Sequence, residues 1–202
     1  MYTTADKIAV FLDKSVDEAD VADVIAAAKD LIDNETGREF GSIADGYNPT
    51  ASARYFDGNS RFEILIDDFF ALTSIQLGTT SHAPSAFDTA MATTEYYNQP
   101  INAVAMGRPY TRLGRRNSVW PSGAGNLKVT AKWGYALTPP ADIVFAATVL
   151  AAGMYTSNRA SEGPIKSEKI GNYAVTYGLE EEKWQALTRV REVLSHYRRI
   201  EI

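Results

Sequence analysis

Few residues in this sequence have the types and spacing that could support catalysis. Residues 123–125 (GAG) are followed by Asn-Leu-Lys, which completes neither the dinucleotide-binding nor the P-loop pattern, and no GxSxG or HExxH motif occurs. Asp67 and Asp68 are adjacent carboxylates, but neighbours on a strand point to opposite faces. We therefore interpret residues 123–125 as a turn before a strand and the two aspartates as a turn or strand end, and we predict no enzyme.

Metal and cofactor sites are also poorly supported by the composition. The chain has no cysteine, which excludes thiolate ligands and disulfides, and it has two histidines. His82 falls in the predicted loop SHAPS, and His196 falls near the end of a predicted helix. Neither has a second histidine or a carboxylate at ligand spacing. We predict no metal and no cofactor.

One basic cluster, RPYTRLGRR at residues 108–116, contains Arg108, Arg112, Arg115 and Arg116. It could contact nucleic acid or an acidic partner, or it could be a solvated loop. Four arginines release too few counterions for tight binding by one chain, since strong non-specific binders neutralise roughly 6 to 10 phosphates. A symmetric ring would multiply the cluster. We predict that these arginines contact a neighbouring protein or the lumen of a channel.

Aromatic residues give a weaker indication of binding. Trp133 and Trp184 fall on periodic apolar faces and are predicted core residues. Trp120 lies beside a proline in a predicted loop, so core and ligand-platform roles both stay open. A pocket formed by Tyr96, Tyr97 and Trp120 would favour a glycan-binding module.

The formal charge of −5 is unevenly distributed. Residues 1–50 hold four basic and eleven acidic side chains, a balance of −7, whereas the remaining residues have a balance of +2. The acidic N-terminal part is therefore unsuited to holding nucleic acid. The chain begins without the basic start and long apolar core of a signal peptide, so we expect neither secretion nor anchoring.

The first elements are predicted to be helices, at about residues 4–13 and 16–36. Thr3 and Ser15 each precede a carboxylate by three residues, the spacing of a helix-capping box. Gly37 is suited to end the second helix. That helix is amphipathic, with apolar residues at the i, i+3, i+4 and i+7 spacing: Val21, Val24, Ile25, Ala28, Leu31 and Ile32.

A block of strands is predicted to follow from about residue 47. The sequence ARYF-DGNS-RFEILI predicts a hairpin, because Asp57 and Gly58 tolerate tight-turn geometry, and LTSIQL predicts a third strand. Tyr96 and Tyr97, and then the run INAVAM, predict two more strands. Loops are expected at residues 78–90 and 107–125.

The last segments are predicted to be helical again, with one strand before them. Alternation over residues 127–133 predicts a strand with one buried face. Pro139 and Pro140 then start a helix that carries no charge between Asp142 and Arg159, so other elements or other subunits must enclose it. This run is too short for a membrane span, which needs about 18 or more apolar residues. A short strand or hairpin at residues 169–178 precedes a final helix, whose apolar stripe is Trp184, Leu187, Val190, Leu194 and Tyr197.

The order of these segments predicts an α+β fold. About four helices form a bundle, and a large antiparallel β subdomain is inserted into it. We expect residues 1–46 to supply the N-terminal helices, residues 47–136 the β subdomain, and residues 137–202 the C-terminal helices and hairpin that complete the bundle.

Five stretches in this order resemble the head-to-tail connector, or adaptor, proteins of long-tailed bacteriophages. The resemblance covers most of the chain and is most specific at TGREF and at WGYALTPPADI; residues 78–125 do not contribute to it. The stretches are LIDNETGREF, RYFDGNSRFEILIDDFFALTSI, NLKVTAKWGYALTPPADIVFAATVLAAGMY, IGNYAVTYG and LSHYRR.

The resemblance implies a structural virion protein without enzymatic activity, assembled in the host cytoplasm and located in the neck. Such adaptors form a ring, usually of twelve copies, beneath the portal protein. They bind a stopper or tail-completion protein, and genomic DNA passes through the channel without sequence-specific binding; no membrane is involved. The C-terminal region often contacts the portal, which would place Trp184, Tyr197, Arg198 and Arg199 near that contact. The alternatives are a stopper or tail-completion factor, or a glycan-binding or enzymatic module that uses the β subdomain.

Overall fold

The computed structural model describes residues 1–78, 86–87, 89–160, 167–170, 173–176 and 180–199, without the side chains of residues 89, 159–160, 167–170, 173–176 and 180–187. The chain divides into two units. A helical unit comprises Met1–Arg38, Ser42–Ala44 and Pro139–Ile202, and a sheet unit comprises Glu39–Gly41 and Asp45–Thr138. The predicted α+β class, with a helical body and an inserted β subdomain, is confirmed.

Among the described residues, the helical unit contains four helices and one hairpin, and the sheet unit contains six strands. The helices are α1 (Ala5–Leu12), α2 (Glu18–Thr36), α3 (Ala141–Ala160) and α4 (Glu180–Tyr197). The sheet strands are β1 (Ser52–Gly58), β2 (Glu63–Leu77), β3 (Thr89–Ala90), β4 (Tyr96–Gln99), β5 (Tyr110–Arg115) and β6 (Gly123–Trp133). The hairpin of the helical unit pairs β7 (Ser167–Ile170) with β8 (Tyr173–Thr176).

Both N-terminal helices form where predicted, but different residues cap them. The Thr4 hydroxyl accepts a hydrogen bond from the Lys7 N–H, and the Asp17 carboxylate accepts one from the Ala19 N–H. The predicted cap Thr3 is instead buried, with its Oγ1 2.8 Å from that of Thr148. Because this buried contact occupies the Thr3 hydroxyl, the next residue takes over the exposed capping position.

The end of α2 is as predicted. Gly37 has a φ of +64°, and its N–H donates to the Asp33 carbonyl at 2.8 Å. The predicted apolar face is buried except at Leu31, which is 42% exposed.

Helix α3 lies at the centre of the helical unit. It contacts α1, α2 and α4 of the same chain, so neighbouring elements rather than other subunits enclose most of it. Small side chains dominate its buried surface and let the other helices approach closely. The buried apolar residues of α3 are Ile143, Ala146, Ala147, Val149, Ala151, Ala152 and Tyr155.

The sheet unit is antiparallel, with strand order β1-β6-β2-β5-β4 and with β3 paired to β2. The predicted β1–β2 hairpin is wrong because β6 lies between these strands. Asp57 and Gly58 are used to hold β6: the Gly58 N–H donates to Asn126 Oδ1 at 2.8 Å, and the Gly125 N–H donates to Asp57 Oδ1 at 2.6 Å. The alternating strand β6 therefore pairs on both of its edges.

Strand β2 unites the segments RFEILI and LTSIQL, which the sequence suggested were separate strands. Its first half pairs with β5 and its second half with β6, and register shifts interrupt both pairings between residues 65 and 74. Such irregularities bend a strand. One long bent strand therefore joins the two halves of the sheet.

Two tryptophans anchor the core of the sheet unit. Trp120 is fully buried and its indole N–H donates to the Leu113 carbonyl at 3.1 Å. Trp133 is 9% exposed, and its indole N–H donates to the Ser52 carbonyl at 2.9 Å. The core prediction for Trp133 is confirmed, and the open question about Trp120 is answered in favour of the core.

Residues 101–106 do not form the predicted strand. Asn102 and Gly107 have φ angles of +66° and +68°, and a short 3-10 helix, Val104–Met106, lies between them. These turns interrupt any extended run. They leave the large side chains of Ile101, Val104 and Met106 69%, 45% and 68% exposed, and we call this segment the apolar tip.

Candidate protein interface

The basic cluster lies mostly on strand β5 and not in a loop. Within residues 107–125, the predicted loop, β5 pairs with β2 on one side and with β4 on the other. Leu113 is fully buried and faces the core, whereas Arg112 is exposed. The burial of one alternating face explains why this arginine-rich segment is a strand.

Gly114 and Tyr97 form a close cross-strand pair next to the arginines. A Cβ atom at Gly114 would lie 2.2 Å from Cζ of Tyr97, so the phenol ring occupies the space that a side chain would need. The Arg116 guanidinium lies over the same ring, 5.3 Å from its centroid. The ring therefore positions an exposed cation through a cation–π contact.

The remaining arginines have different surroundings. Arg112 lies 3.8 Å from the Glu63 carboxylate, and this carboxylate also accepts a hydrogen bond from Gln99 Nε2 at 2.8 Å. Arg115 donates to the Val119 carbonyl at 2.6 Å and contacts the ring of Trp120, so it holds the turn that follows β5. Arg108 is exposed directly after the apolar tip. Arg108, Arg112 and Arg116 are the members that can reach a partner.

An open cleft of about 720 Å³ adjoins these residues. Its lining combines aromatic, amide and cationic groups, which suits binding more than proton transfer. Of the three aromatic residues proposed for a glycan site, Tyr97 lines this cleft, while Tyr96 and Trp120 are buried. Burial raises the pKa of the Tyr96 phenol above its ordinary value. The cleft is lined by Tyr97, Asn98, Gln99, Ile101, Asn102, Tyr110 and Arg116.

Two of the predicted C-terminal contact residues, Tyr197 and Arg198, contact other parts of the helical unit. We call the cluster of Tyr197, Arg198, Arg38, Glu35 and Asp142 the C-terminal clasp. The Tyr197 hydroxyl lies 2.9 Å from the Asp142 carboxylate at the start of α3. Arg38 Nε donates to the Tyr197 carbonyl at 2.7 Å, and Arg198 pairs with Glu35 of α2. The clasp thus ties the end of α4 to α2 and α3.

Other predicted residues contribute less. The Arg199 N–H donates to the Thr36 carbonyl at 2.8 Å. The side chain of Trp184 and the whole of His82 lie outside the described residues, and His196 is exposed near the end of α4. The contacts described here lie within one chain and do not test binding to another protein. The role of these residues as partner contacts therefore stays a prediction.

A second cleft, of about 500 Å³, lies between α2, α3 and α4. Its apolar lining includes the exposed Leu31, and charged side chains stand around it. We call it the helix cleft; it is lined by Leu31, Glu35, Leu150, Thr188, Val190, Arg191, Leu194 and Arg198.

The acidic residues do not assemble into a metal site in the part of the chain that the structure describes. No group of three or more His, Cys, Asp or Glu side chains there could hold a metal ion. Asp67 and Asp68 lie inside β2 and not at its end: Asp67 pairs with Arg54 at 2.8 Å, and Asp68 is buried. Among the same residues, no helix is long and apolar enough to cross a membrane.

The sequence patterns do not predict the exposed apolar tip. Its apolar composition favours a strand instead. The signal against that assignment was present, since Pro100, Asn102 and Gly107 punctuate a run of only six residues.

Comparison with known proteins identifies a shared fold. No family model and no curated protein matches the sequence. A chain from a structure described as the neck of an empty GTA (gene transfer agent) particle, computed with C6 symmetry, aligns with a TM-score of 0.57 and 13% identity. The alignment covers 98% of this chain and 90% of that chain. The protein therefore shares its fold, over nearly its whole length, with a chain in the neck of a GTA particle.

Proposed function

We propose that this protein is a structural, non-enzymatic component of the neck of a tailed-phage-like particle. Its role there is the adaptor that joins the portal protein of the head to the next neck or tail protein. The observation that carries the proposal is the fold shared over 98% of the chain with a neck protein of a GTA particle. The match extends over both the helical unit and the sheet unit, whereas a match to one unit alone would not support this role.

The adaptor acts as a closed ring of copies around the DNA channel. The six-fold symmetry in the description of the related neck supports a ring. Twelve copies, the number that the phage resemblance implies, is a multiple of six. Heterologous contacts of this kind close when the rotation between neighbours divides a full turn.

DNA passes through the channel without sequence-specific recognition. The N-terminal fifty residues have a balance of −7, which disfavours tight retention of phosphates. Arg108, Arg112 and Arg116 supply a limited positive surface that contacts a neighbouring protein or the lumen. The protein is assembled in the host cytoplasm and is retained in the virion neck, without a cofactor.

The alternative within the neck is a stopper or tail-completion factor, because the related structure is described as a neck without a position being assigned. Binding assays separate the two roles. The purified chain should bind the portal protein directly and should recruit the next neck protein only after that. Binding to tail components in the absence of portal binding would favour the alternative.

A deletion experiment tests the function in the particle. Particles that lack the protein should have DNA-filled heads without tails, as seen by electron microscopy. Complementation with the intact chain is the control. Normal tailed particles in its absence would exclude the adaptor role.

A further inference from the structure

The apolar tip is the most exposed group of large apolar side chains on the sheet unit. Ile101, Val104 and Met106 fall within six residues. Scattered single apolar residues on a surface need no explanation, whereas a contiguous group indicates an interaction site.

Backbone hydrogen bonds support the tip from within. The Ala103 N–H donates to the Pro100 carbonyl at 3.1 Å, and the Arg108 N–H donates to the Ala103 carbonyl at 2.9 Å. Ala103 itself is 1% exposed and anchors the segment. Because the segment is already ordered, its docking costs little conformational entropy.

The helix cleft offers an apolar surface that can receive the tip. It provides about 500 Å³ between three helices, with Leu31, Leu150, Val190 and Leu194 in its lining. Leu31 is 42% exposed although it lies on the apolar face of α2. A convex apolar segment from another chain would cover this surface.

Charge favours the same pairing. Helix α2, one wall of the cleft, carries six acidic side chains and one basic side chain, a balance of −5 over its whole length. The charged residues that line the cleft itself are Glu35, Arg191 and Arg198, and Glu35 pairs with Arg198, so the acidic surface is the part of α2 beside the cleft. Residues 95–125, which contain the tip, carry four arginines and one glutamate, a balance of +3. Opposite potentials steer two surfaces together and fix their register.

We propose that the apolar tip of one copy docks into the helix cleft of the next copy, with Arg108 facing the acidic helix α2. The occupant of the cleft is thus a second copy of this chain. The contact is heterologous, joining two different surfaces, and it leaves a pair of copies with one free tip and one free cleft for further neighbours. This inference rests on the proposed ring and names the surfaces that build it.

Cross-linking tests the contact directly, because the chain has no cysteine and any introduced thiol reports on one position. Met106→Cys and Leu31→Cys are made as separate variants, mixed at the highest soluble concentration, and treated with a short bismaleimide. We expect a mixed dimer that contains one chain of each variant. Mixing Met106→Cys with Val10→Cys is the matched control, since Val10 is 83% exposed on α1 and does not line the cleft.

The outcomes separate the contact from the ring. Rings without the mixed cross-link would overturn the tip-to-cleft contact and leave the adaptor proposal standing. The Met106→Cys, Leu31→Cys double variant tests for a cross-link inside a single chain. If a cross-link forms in this variant and never between the mixed single variants, the proposed contact between copies is also overturned. Failure of both rings and cross-links would contradict the contact and remove support from the ring.

A binding measurement provides the second readout. The Ile101→Asp, Met106→Asp variant should weaken association between copies roughly 10- to 100-fold, since two large apolar groups lose their burial. Binding to the portal protein should change little, and Val10→Asp is the control. Unchanged self-association with lost portal binding would assign the tip to the portal and overturn the inference.

Discussion

At the scale of single residues, the ring of Tyr97 leaves no space for a side chain at position 114, which explains the glycine there. An added Cβ atom would meet Cζ of Tyr97 at 2.2 Å, so Gly114→Ala must displace the ring and the Arg116 guanidinium above it. We expect a loss of about 1 to 3 kcal/mol in the free energy of unfolding, measured by denaturant titration.

The matched control is Gly153→Ala on α3, where an added Cβ meets nothing within 4 Å. Alanine is the better helix former, so this variant should gain about 1 kcal/mol. The double variant Gly114→Ala, Tyr97→Ala should relieve the clash. Equal unfolding curves for Gly114→Ala and the parent would contradict the geometry.

Tyr96 gives the protein an alkaline sensitivity. Burial raises its pKa in the folded state above the ordinary value near 10, so above that pH the unfolded chain loses a proton that the folded chain keeps. The free energy of unfolding should therefore fall as pH rises past 10. Tyr96→Phe should show a shallower fall, measured by denaturant titration at each pH; Tyr55→Phe, at an exposed tyrosine, is the control. Parallel curves for Tyr96→Phe and the parent would refute this assignment.

Residue patterns predicted burial better than they predicted partners. The alternation through Leu127, Val129, Ala131 and Trp133 identified a buried strand face, because a period of two depends on local geometry alone. The cap Thr3 was wrong because its hydroxyl meets Thr148, far away in the sequence. Nothing in the residues around Thr3 encodes that partner.

At the scale of elements, the C-terminal clasp tests whether predicted contact residues serve the fold or a partner. Arg198 pairs with Glu35, but their side chains are 62% and 40% exposed. Exposed ion pairs stabilise a fold by roughly 0 to 1 kcal/mol. A double-mutant cycle with Arg198→Ala and Glu35→Ala should therefore give a coupling energy below about 1 kcal/mol.

A partner role for Arg198 would appear as a separate effect. Arg198→Ala should then keep near-parental stability while binding to the portal protein weakens. Arg189→Ala is a control on α4, the helix that ends directly before Arg198, at a residue that contacts Phe145 instead of the clasp. A large loss of stability with unchanged portal binding would assign Arg198 to the fold.

Helices were predicted more accurately than strand pairing. The four helices of the described residues were predicted from charge placement and apolar periodicity within one segment, although the predicted N-terminal caps of α1 and α2 were wrong. The pairing of β1 with β6 joins residues about seventy positions apart, and the side chain of Asn126 accepts from Gly58. The Asp57-Gly58 pair looked like a hairpin turn because its alternative use depends on that distant strand.

At the scale of the whole molecule, the opposite charges of helix α2 and of the segment that carries the apolar tip predict salt-sensitive assembly. The Debye length falls from about 10 Å at 0.1 M to about 3 Å at 1 M salt, which screens exposed charges. The fraction of chains in oligomers, measured by mass photometry, should therefore fall as salt rises. The hydrophobic contact of the apolar tip limits this fall in the oligomeric fraction, because salt does not weaken the burial of apolar surface.

Charge reversal distinguishes specific complementarity from general screening. Arg108→Glu should weaken association at low salt and make it less dependent on salt, because repulsion from α2 replaces attraction. Position 112 is less suitable for charge reversal. Arg112→Glu would remove the guanidinium that lies 3.8 Å from the Glu63 carboxylate and place a second carboxylate beside it. Tyr55→Glu, at an exposed position on β1, is the control for added negative charge on the sheet unit. If Arg108→Glu and Tyr55→Glu have the same effect at every salt concentration, net charge alone governs assembly and Arg108 does not face α2 of a neighbour.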